Sequence, residues 1–316
     1  MKKGLNEYQF YENFDELAID ILTLAKNIIP KGYFFLSAFT NKEQHILKVA
    51  KNKENIHINE GSRIPLHSAV CTRINFSKGN ALVYTDISKE DSLVKLKRIY
   101  QATNVNAYLG VPVILRNGEV FGTLCAVQER ATTFHADSIK LIEKLAKMFS
   151  YYLELESMAC RDHLTGCYNR YSLERFFQQH TREEGIILFL DLDGFKQIND
   201  KLGHETGDFV LKEVSLRIEE VIRKSTLSGA VFRLGGDEFV VNLIGLIDKG
   251  MIDDIATTLI LSLSTWDFHT NDFCLSTSIG IVSYTKEEQS LTALLKKADN
   301  ALYRAKSSGK NTYQYF

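Results

Sequence analysis

The sequence predicts an α+β fold in two halves: an N-terminal antiparallel sheet with flanking helices, a connecting helix, and a second half of strands and helices. Three observations carry this. The 316 residues suffice for two domains of ordinary size. Each half holds two β-rich arms around a glycine turn, Asn117-Gly118 in the first and Gly235-Gly236 in the second. Between them, from Ala136, the apolar residues switch to helical spacing.

In chain order, Phe14, Leu17, Ala18, Ile21, Leu22, Leu24, Ala25 and Ile28 mark an amphipathic helix from Phe14 to about Ile29. The apolar runs Tyr33 to Phe39 and His45 to Ala50 read as strands. YLGVPVILRNGEVFGTLCAVQ reads as a hairpin, its Asn-Gly turn tolerating positive φ at both positions. Leu141, Leu145, Met148, Tyr152, Leu155 and Ala159 then recur with a period of 3.5. Two readings of that helix stand side by side: packing on its own domain, or the seam of a parallel dimer. Beyond Arg161 come a turn, a helix (about Tyr171 to Gln179), an apolar strand (Ile186 to Leu190) and two helices up to about Ile222. A hairpin (Ala230 to Leu243), a helix (Met251 to Leu263), a strand (Phe273 to Ser283) and a final helix (Leu291 to Ser307) complete the order. The three prolines leave the helix itself as the linker.

A 45% hydrophobic and 24% charged composition supports packed cores and argues against disorder. With 38 basic and 39 acidic side chains, the net charge of -1 excludes a general nucleic-acid binder and leaves nucleotide recognition to a local site. MKKGLNEYQFYENFDELAID turns acidic after two lysines, unlike a signal peptide. No run reaches the roughly 18 to 20 apolar residues that cross a bilayer. Cys71, Cys125, Cys160, Cys167 and Cys274 are scattered and without a CxxC pair, which fits reduced thiols and a cytoplasmic location better than zinc or disulfides.

The chemistry concentrates in the second half. IILFL is apolar at every position, so both faces of that strand are expected to be buried. It runs into Asp191-Leu192-Asp193, where Asp193 is either a cap for the following helix or a site residue. Asp237 and Glu238 immediately follow the Gly235-Gly236 bend. Carboxylates converging there need a counter-charge, and a hard divalent cation with oxygen ligands supplies it. Magnesium would complete its shell with water and phosphates, which points to phosphoryl transfer.

Gly235-Gly236-Asp237-Glu238-Phe239 is an intact GGDEF signature. RDHLTGCYNR (Arg161 to Arg170), LDLDGFKQINDKLGHETGDFVL (Leu190 to Leu211) and DNALYRAKSSGKN (Asp299 to Asn311) resemble its companion motifs, in the same order. Residues 157–316 thus resemble a GGDEF domain of the diguanylate cyclase family. The resemblance implies a five-stranded sheet wrapped by helices, akin to nucleotidyl cyclases and polymerase palms. It also implies magnesium- or manganese-dependent condensation of two GTP into cyclic di-GMP and two pyrophosphates. Carried over residue by residue, Asp191, the Leu192 carbonyl and Asp237 hold the metals, with Glu238 as a further ligand or activator. Asp237 helps deprotonate the attacking hydroxyl. Asn199 and Asp208 read guanine; Lys196, Lys306, Lys310, Arg233 and the backbone N–H groups of Gly194 and Phe195 face phosphates. Two departures stand out. Thr226-Leu227-Ser228-Gly229 replaces the Arg-x-x-Asp of the product-inhibition site, so no such site is expected. Lys310 replaces the commoner arginine and loses its bidentate fork.

Residues 12–155, including the helix from about 136 that continues to about 160, resemble a GAF domain. The evidence is the hairpin, SRIPLHSAVCTRINFSKGNALVYTDI upstream and FHADSIKLIEKLAKMFSYYLE downstream; a PAS domain is the alternative sensor fold. Such domains bind small molecules or only another copy. Cys71 reads as a buried thiol rather than a chromophore attachment point, and His67 as a surface residue rather than a haem ligand. Tyr33, Phe34, Tyr84, Tyr100 and Tyr108 read as core, with a pocket lining as the other reading. The whole implies a homodimeric enzyme under sensor control through the helix. The alternative, an inactive GGDEF domain serving as a nucleotide-binding or interaction module, is disfavoured by the presence of Asp191, Asp237 and Glu238.

Overall fold

The computed structural model describes residues 11–316 apart from 12, 51–54, 92, 94–101, 181, 226, 247, 267–274, 288 and 289. Tyr100, Thr226, Phe273 and Cys274 therefore lie outside the described residues. The chain divides into two compact units, Met1–Ser157 and Met158–Phe316. Among the described residues no helix is long and apolar enough to cross a membrane.

The first unit is built on an antiparallel sheet of β1 (Tyr33–Phe39), β2 (Glu43–Ala50), β3 (Arg63–Pro65), β4 (Leu82–Tyr84), β5 (Ala107–Ile114) and β6 (Val120–Gln128), in the order β3-β2-β1-β6-β5-β4. Helix α1 (Phe14–Ile28) buries Phe14, Ala18, Ile21, Leu22 and Ala25, the stripe its spacing requires. Phe14 meets Phe149 of α2 (Ala136–Cys160) at 5.9 Å and Phe121 of β6 at 6.5 Å between ring centroids. Tyr33, Phe35, Tyr108, Cys125 and Val127 belong to a separate core cluster, which includes Val70, Cys71 and Ile74. Tyr33, Phe34 and Tyr108 are buried, Tyr84 is half-buried and His67 is exposed.

The β5–β6 turn differs from the expected one. Only Gly118 takes a positive φ (80°). Leu115 accepts from the Gly118 N–H and donates to the Glu119 carbonyl, while the Asn117 carboxamide accepts from the Glu119 N–H. The loop is thus longer than the two-residue turn, and Asn117 contributes its side chain rather than a left-handed backbone.

The 3.5-residue seam of α2 is split. Leu145 is buried and Tyr152 stacks on Phe149 at 6.2 Å. Leu141, Met148 and Leu155, seven residues apart, face outward with Tyr151 and Met158; Met148, Leu155 and Met158 are 63%, 66% and 77% exposed. A 25-residue helix carries both an inward and an outward apolar stripe.

The second unit has a five-stranded sheet, β11-β10-β7-β9-β8, of β7 (Gly185–Asp193), β8 (Ser228–Gly235), β9 (Glu238–Ile244), β10 (Ser276–Tyr284) and β11 (Tyr313–Tyr315). Only β10–β11 is parallel. The central β7 is buried from Gly185 to Leu190, as its unbroken apolar run predicts. Ile186, Leu188 and Leu190 enter one core with Val210, Val214 and Ile218 of α5 (His204–Ser225) and Ile255 and Leu259 of α6 (Lys249–Ser264). The intervening residues belong to the opposite face, which α7 (Leu291–Ser307) covers with Ala298, Ala301, Leu302 and Ala305. Helix α3 (Arg170–Gln179) reaches the sheet through Phe176 on Phe232 and Phe177 on Tyr284, at 5.6 and 5.5 Å. The short α4 (Phe195–Leu202) is separated from α5 by Gly203 at φ 85°.

Gly280 sets how closely α7 approaches β10. A Cβ built on it would lie 2.0 Å from the Ala298 carbonyl oxygen and 2.5 Å from the Leu302 nitrogen, both backbone atoms that cannot swing aside. Gly280→Ala is expected to lift α7 and destabilise the second unit by about 1–3 kcal/mol, seen as earlier thermal unfolding by circular dichroism.

Candidate active site

The end of β7 and the β8–β9 turn make one carboxylate cluster. Asp191 is the cross-strand partner of Glu238, the last pair in the β7–β9 ladder, so both side chains stand on the α7 face. Leu192, one residue beyond that pair, leaves its backbone past the end of the β9 edge. Gly235 and Gly236, at φ 149° and 51°, turn the chain so that Asp237 and Glu238 follow the bend directly. Burial and then the neighbouring Asp191 charge push the Asp237 carboxyl above its ordinary range. Burial, Asp191 and Asp237 do the same to Glu238.

A cation already answers this crowding. Lys306, in the last turn of α7, places Nζ 2.7 Å from Asp191 Oδ1. The sequence placed Lys306 among phosphate contacts; in the structure its partner is the carboxylate expected to hold a metal. Among the described residues, no group of three His, Cys, Asp or Glu side chains is placed to hold a metal ion. An incomplete oxygen donor set with a lysine as stand-in cation fits magnesium, which binds through one or two carboxylates and keeps positions for water and phosphate oxygens.

Arg233 has a role different from the expected phosphate contact. It is buried; its Nε and Nη2 donate to the Gly236 carbonyl at 3.1 and 2.8 Å, and its Nη1 donates to Asp162 Oδ1 at 2.7 Å. Asp162 also accepts from the Thr165 N–H and hydroxyl. Burial opposes its ionisation, but the bonds from Thr165 and Arg233 outweigh that and hold its carboxyl below the ordinary range. The glycine turn is therefore braced from the DHLTG segment, 71 residues away. Sequence reasoning missed Asp162 as a support; its place in a companion motif was the available signal.

Asp193 is neither a cap nor part of the outward cluster. The residue at the start of α4 is Gly194, at φ 87°, with no side-chain cap. The strand continues through Asp193, whose buried Oδ2 accepts from Ser276 Oγ, Ser278 Oγ and the Asn311 N–H at 3.2, 2.8 and 3.2 Å. This bond to Asn311 ties down the loop carrying Lys310, which is exposed and held at φ 63°. Thr277 Oγ1 donates to the Asp191 carbonyl at 3.0 Å, a second support that reading the carboxylates alone did not find.

The remaining candidates lie around α4. Gly194 and the buried Phe195 begin it, where backbone N–H groups lack intrahelical acceptors. Lys196 is exposed in its first turn. Asn199 is half-buried against α5; a Cβ on Gly207 would lie 1.9 Å from Asn199 Oδ1, so Gly207 is what lets the two helices meet there. The exposed Asp208 follows, which brings Asn199 and Asp208 to one corner. Leu227, Ser228 and Gly229 stand in the described part of the substituted Arg-x-x-Asp stretch. In the first unit an open groove of about 610 Å³ is lined by Phe39, Leu66, Thr72, Phe76 and the Asn117–Val120 turn.

The family described as "Diguanylate cyclase, GGDEF domain" matches residues 159–312, and the GAF domain family matches 32–153. The bifunctional diguanylate cyclase/cyclic di-GMP phosphodiesterase MucR of Pseudomonas aeruginosa is 34% identical, over 67% of this chain and 31% of its own length. Diguanylate cyclase DgcS of Shewanella oneidensis is 36% identical over 52% of this chain and 55% of its own. Diguanylate cyclase DgcP of Escherichia coli is 26% identical over 85% of this chain and 82% of its own. The chain thus spans less than two thirds of MucR and of DgcS.

Two outcomes test the site as built. Removing either half of the Asp162–Arg233 pair leaves the other charge buried, so Asp162→Ala and Arg233→Ala should each cost on the order of 3 kcal/mol; the double variant should cost clearly less than their sum in urea unfolding. Asp237 has a raised folded pKa, so the folded state binds the extra proton, and stability falls as pH rises from its ordinary value through the raised one. Asp237→Asn should accordingly raise the neutral-pH melting temperature, and the gain should disappear in acid, where both forms are uncharged.

Proposed function

Because the chain carries a GAF domain followed by a GGDEF domain of the diguanylate cyclase family, we propose that it is an active diguanylate cyclase. It condenses two GTP into cyclic di-GMP and two pyrophosphates. The observation that supports this most is the crowding of Asp191, Asp237 and Glu238 around a braced glycine turn, with Lys306 as their counter-cation.

Asp191, the Leu192 carbonyl, Asp237 and Glu238 would hold magnesium or manganese. A metal held there would supply Lewis-acid polarisation of the attacking hydroxyl and the α-phosphate. The side chains supply the rest. Asp237 accepts the proton of the attacking hydroxyl. Lys306, which pairs with Asp191, would also face the phosphates, as would Lys196, Lys310 and the Gly194 and Phe195 N–H groups. Asp208 accepts from guanine N1 and N2 hydrogens and Asn199 pairs with the acceptor edge. Arg233 serves by holding the turn.

Each site holds one GTP, so condensation needs a homodimer. The outward stripe Leu141, Met148, Tyr151, Leu155 and Met158 supports α2 as its seam. With domain limits of 12–155 and 157–316, this helix ends the sensor and leads into the enzyme, so a small molecule in the GAF groove would bias the pairing of half-sites. The protein works in the cytoplasm. Without Arg-x-x-Asp, feedback by cyclic di-GMP at that surface is absent.

Incubation with GTP and magnesium, read by mass spectrometry, is expected to yield cyclic di-GMP and pyrophosphate. EDTA, Asp237→Ala and Glu238→Ala should each abolish product while circular dichroism stays native. Dimeric protein that binds GTP but makes no product would establish the inactive, nucleotide-binding reading instead.

A further inference from the structure

The core of the first unit contains a polar network that the GTP chemistry does not use. Cys71, on a short 3₁₀ turn (Val70–Arg73), and Cys125, on β6, bring their sulfurs to 3.6 Å. Two donors converge on Cys71 Sγ, Gln44 Nε2 at 2.9 Å and the Tyr108 hydroxyl at 3.0 Å. Cys125 donates to Thr123 Oγ1 at 3.2 Å. Ser37 closes the set, 2.7 Å from both Gln44 Nε2 and Thr123 Oγ1. Cys71 is 2% exposed, and Ser37, Thr123 and Cys125 are fully buried.

Two buried cysteines are by default small apolar fillers. The donors argue otherwise. A neutral thiol is a weak acceptor, so an amide and a phenol aimed at it inside a core would be poorly satisfied. A thiolate satisfies both. We propose that Cys71 and Cys125 form a reversible dithiol–disulfide pair, oxidised by a small hydroperoxide such as hydrogen peroxide.

The two sulfurs have different parts. Burial pushes Cys71 up, yet the bonds from Cys125, Thr123, Tyr108 and Gln44 outweigh it and bring its pKa to about 7. Burial first, then Cys71, pushes Cys125 well above its ordinary range. Tyr108, the other titratable group in the network, is also raised, chiefly by burial, and stays protonated at neutral pH. Cys71 is thus the nucleophile and Cys125 the resolving thiol. The Cys71 thiolate attacks one peroxide oxygen; the S–O bond forms, the O–O bond breaks, and the departing hydroxide takes a proton to leave as water. Cys125, giving up its proton, attacks the Cys71 sulfur; S–S forms, S–O breaks, and a second water leaves. Both thiols are oxidised, two electrons in all, and one peroxide is reduced to two waters. Burial sets the size limit. Cys71 lies on the covering segment next to Thr72, which lines the open groove, so local opening there admits an oxidant little larger than water.

The test uses the full chain. It is treated with a modest excess of hydrogen peroxide, quenched in denaturant with an alkylating reagent, and mapped by mass spectrometry. The expected product is 2 Da lighter, links the Cys71 and Cys125 peptides, and returns to two alkylatable thiols with dithiothreitol. Cys125→Ser should stop at a sulfenic acid on Cys71, trapped by dimedone. Oxidation should accelerate as pH rises through the neutral range, and Tyr108→Phe, which removes one donor to Cys71, should slow it several-fold. Thiols at 71 and 125 that remain alkylatable, or a link through another cysteine, would overturn the proposal; so would sulfenic acid on Cys125 in place of Cys71.

Discussion

Mutual repulsion among Asp191, Asp237 and Glu238 is the constraint on which the second unit turns. Asp237 and Glu238 sit at the edge of an apolar sheet, where burial and then the Asp191 charge raise the cost of ionising them. A chain free to relax would splay them apart. It does not, because the β7–β9 register places Asp191 against Glu238 and two glycines at positive φ turn the chain beside them. The fold thus holds two carboxyl groups that are costly to ionise beside Asp191. Lys306 relieves part of that cost.

The supports of the cluster come from distant parts of the chain. Arg233 ties the Gly236 carbonyl to Asp162, ahead of the first helix wholly within the unit. Asp193 ties the end of β7 to β10 and to the loop after α7. Gly280 lets α7 lie close enough for Lys306 to reach the carboxylates. Arg233 and Asp193 are buried and Asp162 is half-buried, which is tolerable because Arg233 and Asp162 pair and Asp193 Oδ2 accepts three bonds. They give the site its rigidity, whereas the groups facing outward, Lys196, Asp208 and Lys310, remain exposed.

The first unit applies the same physics to different ends. Its sheet encloses hydroxyls, an amide and two thiols among aromatic and aliphatic side chains, and these satisfy one another rather than water. Its last helix divides its apolar residues between the unit's own core and an outward stripe, so the single heptad-like pattern served two surfaces.

The sequence by itself determined the longer helices and strands, the buried β7, the two glycine-turn hairpins and the place of Asp237 and Glu238 directly after the second turn, because these depend on local periodicity and on residues adjacent in the chain; the three-residue strands β3, β4 and β11 carry no such pattern, and the meeting of Asp191 with Glu238 is set by the β7–β9 register. Tertiary structure decided what depends on partners far apart. Arg233 braces a turn because Asp162 lies beside it; Asp193 accepts bonds from β10 because the strand continues where a cap was the alternative; Lys306 meets Asp191 because Gly280 brings α7 close. The seam of α2 separates into inward Leu145 and outward Leu141, Met148 and Leu155 for a related reason. A period of 3.5 shows that apolar residues recur but not which neighbour each one meets, and Cys71 and Cys125, 54 positions apart, meet only once the sheet has folded.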